Sequence, residues 1–129
     1  MSLLHILYVD DDADIRTIVE MSLSLDPGIK LSVCDTGSGA LALVDAGLRP
    51  DVAVLDLMMP GMDGLELLDA LREREGLAAL PIIFITARGR QRDLDMLTER
   101  GALGIIVKPF DPMGLAQQVR GLLASSRTD

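Results

Sequence analysis

Asp51-Val52-Ala53-Val54-Leu55-Asp56-Leu57-Met58-Met59-Pro60-Gly61-Met62-Asp63-Gly64 is the stretch that decides the fold of this chain. Residues 52–55 are apolar, and the run is far shorter than the roughly 18 residues of a membrane span. Its length and branched side chains suit a strand buried on both faces, as in a parallel sheet. The run ends on a carboxylate, Asp56. Met58-Met59-Pro60-Gly61, with Gly64 just beyond, then turn the backbone. Open α/β sheets bind ligands at the C-terminal ends of their strands, so a charge in that place is a candidate functional group.

Outward from this stretch the pattern repeats. Upstream, residues 4–9 are apolar, Asp12 offers a helix cap, and Ile15, Ile18, Val19, Ser22 and Leu25 form a helical stripe. Asp26-Pro27-Gly28 is a turn. Residues 31–34 read as a second strand at an edge. Thr36 or Ser38 caps a helix bearing Ala40, Leu41, Val44 and Leu48. Downstream, Asp63 or Gly64 opens a helix with Leu65, Leu68 and Leu71 that ends around Gly76. Residues 81–85 are the fourth strand and 88–100 a weaker helix with Leu94 and Leu97. Residues 103–107 are the fifth strand. Asp111 caps a last helix with Pro112 at its first position and Leu115, Val119 and Leu122 on one face; a frayed tail follows. Alternating strands and helices imply one α/β domain, a doubly wound parallel sheet with right-handed crossovers, spanning residues 1–129 with a core of about 4–124.

Composition narrows the function. The 129 residues carry 20 acidic and 12 basic side chains, a net charge of −8. Such a chain is poorly suited to binding nucleic acid or anionic lipid directly. Arg88, Arg90 and Arg92 form the one local basic cluster and read as a solvated helix face or a protein-docking spot. A single cysteine, Cys34, excludes an internal disulfide and fits a reducing compartment. His5, at the head of the first strand, reads as structural. No signal-peptide pattern is visible, so the expected location is cytoplasmic.

All strands of a parallel sheet end on one edge. Asp10, Asp11 and Asp12 follow the first strand, Asp56 the third, Thr86 the fourth and Lys108 the fifth. Alone, Asp-Asp-Asp reads as a helix cap and solvated charge. Together these groups share one topological place. Clustered carboxylates raise their pKa values or hold a cation. Oxygen ligands without His or Cys favour Mg²⁺, with Mn²⁺ as the alternative. That ion, a carboxylate nucleophile, a hydroxyl and an ammonium make a phosphoryl-transfer arrangement ending in an aspartyl phosphate.

These residues resemble the response regulator receiver family of two-component signalling. The resemblance runs from Ile6 to about Leu123 on Val9-Asp10-Asp11-Asp12, Leu55-Asp56 through Gly64, Ile85-Thr86-Ala87 and Val107-Lys108-Pro109-Phe110. It implies a flavodoxin-like fold of strand order 2-1-3-4-5, for which a member of this family is a standard example. It also implies that Asp56 is the phosphoacceptor of a histidine kinase or phosphotransfer protein. Asp11 and Asp56, with the Met58 backbone carbonyl, become direct Mg²⁺ ligands, and Asp10 a ligand through water. Thr86 and Lys108 engage the phosphoryl group, and the Lys108–Pro109 bond is cis. The domain then catalyses only its own phosphorylation and dephosphorylation. It signals through the surface of the fourth helix, fifth strand and fifth helix to an effector protein or output domain, with a homodimer through that surface as an option.

Two positions carry further expectations. Ile105 stands where many members have Tyr or Phe; a Cβ-branched side chain is stiff at χ1, so the switch relies on other side chains. Arg88 and Met58 flank the phosphoryl site, and their bulk implies a long-lived phosphorylated state. Three rival readings are weaker. An aspartyl phosphatase needs a second Asp after Asp56, where Leu57-Met58 stands. A degenerate dimerisation module would not need the complete residue set, and a flavin domain would need a phosphate loop where three Asp stand. No output region follows Asp129, which leaves stand-alone action or continuation in a longer chain.

Overall fold

The sheet is parallel throughout. In a computed structural model of the chain, β1 (Leu4–Val9) pairs with β2 (Ile29–Cys34) on one side and β3 (Val52–Asp56) on the other. β4 (Ile82–Thr86) pairs with β3, and β5 (Gly104–Val107) closes the order β2-β1-β3-β4-β5. The structure describes residues 3–87 and 89–126, without the side chain of Ser126. Expectations placed on Arg88 and on the tail at 127–129 lie outside these residues. Helices α1 (Ala13–Ser24), α2 (Gly37–Asp45), α3 (Gly64–Arg72), α4 (Gln91–Glu99) and α5 (Leu115–Ser126) connect the strands or follow the last one. The chain therefore has the expected doubly wound α/β fold, with β2 at an edge.

Strand alternation divides the core into two layers. Ile6, Tyr8, Val52, Val54, Ile83 and Ile85 face α1 and α5, where Val19, Leu23, Leu115, Val119 and Leu123 meet them. Leu7, Val9, Ala53, Leu55, Ile82 and Phe84 face α2, α3 and α4. Both faces of the central strands are covered, so β3 and β4 are apolar at successive positions up to their terminal Asp56 and Thr86. Full burial of a side chain such as Phe84 stabilises the fold by about 2–3 kcal/mol.

Local chemistry sets the helix starts. The Asp12 carboxylate accepts from the backbone N–H of Asp14 at 2.9 Å and of Ile15 at 3.2 Å. Thr36, not Ser38, caps α2 by accepting from Gly39 at 3.0 Å. Asp63 caps α3 in a reciprocal box with Glu66, so Gly64 is the first helical residue. α4 starts at Gln91, later than the sequence pattern implies, and its N-cap Arg90 makes no side-chain cap hydrogen bond.

Several inward-facing expectations shift. Ile18 and Leu25 are 40% and 63% exposed, because Val19, Ser22 and Leu23 carry the core face of α1. Leu123, rather than Leu122, completes the buried face of α5. Pro112 leads a 3₁₀ turn (Pro112–Gly114) ahead of α5 instead of opening the α-helix directly. Lys108–Pro109 is cis, as the resemblance implied.

Candidate functional site

The strand order creates the site. β1 is followed by β2 on one side, whereas the next strand, β3, lies on its other side. Helices leave in opposite directions at this switch point and open a crevice at the strand C-termini. Val9 and Leu55 are in register, so Asp10 and Asp56 emerge side by side. Asp56 is the last residue of β3 and Thr86 the last of β4. Lys108 follows β5, and its backbone N–H donates to the Thr86 carbonyl at 2.7 Å. The sequence-expected groups thus converge. A cavity of about 300 Å³ is lined by Asp11, Asp12, Asp56, Met58, Thr86, Ala87 and Lys108.

Asp10 lies behind this cavity and is fully buried; Asp56 and Thr86 are also buried. Lys108 Nζ sits 3.4 Å from Asp10 Oδ2 and 3.6 Å from Asp56 Oδ1. Carboxylate oxygens of Asp10, Asp11 and Asp56 lie within 4.8 Å of one another. At such separations two like charges repel by about 3 kcal/mol at an effective dielectric near 20. Burial, and next the charge of Asp10, push the Asp56 carboxyl up to about 7, against the pull of the Lys108 ammonium. Three carboxylates facing one ammonium retain two negative charges when ionised. This donor set of oxygens, with that charge, fits a divalent cation of the Mg²⁺ class.

The turn beyond Asp56 is tight and closely packed. Gly61 has φ 76°, a conformation that costs glycine little. Gly64 packs so closely that a Cβ there would stand 2.5 Å from the Asp56 carbonyl oxygen and 2.9 Å from Leu57 Cα. Its N–H donates to the Leu57 carbonyl at 3.0 Å. The start of α3 is thereby pressed against the end of β3. Met58 lines the cavity with a half-exposed side chain.

Three supporting contacts to Asp10 were not read from the sequence pattern. The Tyr8 hydroxyl donates to Asp10 Oδ2 at 2.7 Å. Burial first, and then its bond to Asp10, push the Tyr8 phenol well above its usual range, so it stays a donor. The Asp12 N–H donates to Asp10 Oδ1 at 3.0 Å, and Arg16 Nη1 to the Asp10 carbonyl at 2.8 Å. Period-2 parity was the signal for Tyr8, since residues two apart in a strand point to the same face.

Other expected residues stand apart from the site. His5 Nε2 bonds Ser32 Oγ at 2.8 Å, and the His5 N–H donates to Asp51 at 2.8 Å, a structural role. Cys34 is half-buried; burial and the Asp35 charge push its thiol up, away from the reactive thiolate. Arg90 and Arg92 are exposed on the rim of a different cavity, beside Ala87 and Gly89. Ile105 is partly buried, paired in register with Phe84.

The fold and this site define a receiver-type α/β domain, and comparison with known proteins gives the family. The profile of the response regulator receiver domain matches residues 6–120, and the chain belongs to that family. It is 39% identical to the DNA-binding response regulator MtrA of Mycobacterium tuberculosis over 92% of this chain and 50% of that protein. It is 34% identical to the transcriptional regulatory protein CseB of Streptomyces avermitilis, over 92% of this chain and 48% of that protein. The chain thus spans about half the length of these relatives. Among solved structures, the chemotaxis response regulator CheY4 of Vibrio cholerae superposes with a TM-score of 0.84 at 30% identity, covering 94% of this chain and 99% of that one. The receiver domain of the putative response regulator NarL from Mycobacterium tuberculosis gives 0.83 at 30% identity, covering 98% and 100%. Receiver domains are signalling domains rather than metabolic enzymes, and membership supports a phosphorylation-dependent role. Among the described residues no helix is long and apolar enough to cross a membrane.

Proposed function

We propose that this domain is a phosphorylation switch with Asp56 as its phosphoacceptor. The observation that carries the reading is the placement of Lys108 3.6 Å from Asp56 Oδ1, in a cavity that Thr86 and two further carboxylates also border or underlie. In the transfer, an Asp56 carboxylate oxygen forms a bond to phosphorus while the bond to the donor's imidazole nitrogen breaks. The imidazole nitrogen leaves with the electron pair. The donor is a histidine kinase or a phosphotransfer protein.

Asp10, Asp11, Asp56 and the Met58 carbonyl would hold Mg²⁺, or Mn²⁺ in its place. When bound, the ion supplies positive charge to the phosphoryl oxygens and to the crowded carboxylates. The chain's own groups do the rest. Desolvation makes the Asp56 carboxylate reactive but protonation-prone, so it must be held ionised by neighbouring positive charge. Lys108 provides one such charge and pairs with a phosphoryl oxygen; Thr86 hydrogen-bonds another. Their movement toward the new charge alters α4, β5 and α5, the face read by an effector or output domain and available to a second copy. With Ile105 in β5, that relay runs without a mobile aromatic ring. Catalysis is confined to the domain's own phosphorylation and dephosphorylation.

The proposed location is the cytoplasm. Residues 1–129 are proposed to make no direct nucleic-acid contact, given their net charge of −8. The MtrA relatives are named as DNA-binding proteins, and this chain spans only about half their length. The expectation therefore concerns this domain alone. Mg²⁺-dependent labelling by acetyl phosphate tests the proposal. Wild type should gain one phosphoryl group, and Asp56→Asn none; equal labelling of the two would refute it.

A further inference from the structure

Asp10 has an unusual donor set for a group so close to the cavity. It is fully buried, and both of its oxygens are engaged. Oδ1 takes the Asp12 N–H at 3.0 Å, and Oδ2 takes the Tyr8 hydroxyl at 2.7 Å. Lys108 is also on Oδ2, but at 3.4 Å, a long contact that leaves the ammonium almost equidistant from Asp56 at 3.6 Å. Tyr8 belongs to the α1- and α5-facing layer of the core, with its ring wholly buried. Its hydroxyl is the one polar atom on that side chain, and it reaches the carboxylate two residues on.

We infer that Tyr8 is a positioning residue: its hydroxyl fixes the Asp10 carboxylate as a cation-holding group and keeps Lys108 shared with Asp56. The inference rests on the reading of Asp10, Asp11 and Asp56 as a divalent-cation site. With both oxygens tied to its own strand and the turn after it, Asp10 has little torsional freedom left to lose when the ion binds. Without the hydroxyl, Oδ2 loses its shortest contact and is left with the long one to Lys108. The carboxylate can then rotate, and the ammonium closes on Asp10 and withdraws from Asp56. Both changes weaken the cation site. Outer-shell partners of metal ligands typically influence affinity in this way.

Calorimetric titration of Mg²⁺ into wild type and Tyr8→Phe is the test, with melting in chelator as the check on folding. Phe keeps the buried ring and removes only the hydroxyl. The affinity should fall about tenfold, the lower end of the range for such partners. Affinities within twofold of each other would overturn the inference while leaving the cation site standing. Absence of saturable Mg²⁺ binding to wild type would overturn both. A second measurement does not depend on the folding of Tyr8→Phe. Tyr8 is the only tyrosine, and the chain has no tryptophan, so ultraviolet emission reports this one hydroxyl. In chelator, Asp10→Asn should change that emission; identical spectra for wild type and Asp10→Asn would also overturn the inference.

Discussion

Replacing Asp56 by Asn tests whether the site is held at an electrostatic cost to stability. In the cation-free protein the Asp56 carboxyl is pushed up to about 7 from an ordinary value of 3.8, chiefly by burial and then by Asp10. The folded chain therefore binds a proton that the unfolded chain releases between about pH 4 and pH 7. In that window the folded state holds more protons, so stability falls as pH rises. At about 1.4 kcal/mol per pH unit, the loss is on the order of 3–4 kcal/mol by pH 8. For a domain of this size that is roughly 10 °C in melting temperature. Asn carries no charge and should escape the loss. Asp10 and Lys108 respond to the Asp56 charge, so the difference reports this site as a unit, while distant ionisable groups cancel. Urea or thermal unfolding of both proteins in chelator, from pH 4 to pH 8, gives the comparison. Asp56→Asn should be the more stable at pH 8, with the gap closing toward pH 4. A gap that changes by less than about 1 kcal/mol over that range would refute the reasoning.

Mg²⁺ should raise the melting temperature of wild type, by about 2.7 kcal/mol of added stability at a hundredfold excess over its dissociation constant. Asp56→Asn should show a much smaller rise, and equal rises in calorimetry would remove Asp56 from the cation site. Gly64→Ala should destabilise the fold by about 1–3 kcal/mol in urea unfolding, because its Cβ would stand 2.5 Å from the Asp56 carbonyl oxygen. An unaltered unfolding midpoint would show that the close packing of α3 on β3 is dispensable. Lys108→Met removes the ammonium that opposes the upward push on Asp56. The Asp56 carboxyl midpoint, followed by carbon NMR in chelator, should move higher; a fall would contradict the ion pair.

The fold was legible because its signals are local and repeated. Apolar runs of strand length, ended by Asp, Thr or Lys, alternate with helical stripes that open on Asp12, Thr36 and Asp63. Those patterns specify a parallel sheet and place its polar groups on one edge, since every strand points the same way. The family resemblance then assigned roles to Asp10, Asp11, Asp56, Met58, Thr86 and Lys108, and the structure places Asp10 behind the cavity that the others line. The facing of α1 was less legible: Ile18 and Leu25 fit the helical period but flank the buried stripe through Val19, Ser22 and Leu23. A helix can rotate by a fraction of a turn without breaking its period, and only packing fixes that rotation.

By itself, the sequence determined that four of the five strands would end in a shared line of polar groups, because side-chain period and turn residues are properties of neighbours along the chain. Only the tertiary structure decided how those groups share charge. Lys108 stands between Asp10 and Asp56, and the buried Tyr8 hydroxyl is on Asp10 rather than on another acceptor. These relations join residues up to 98 positions apart, and they depend on strand register and on desolvation that no local pattern encodes.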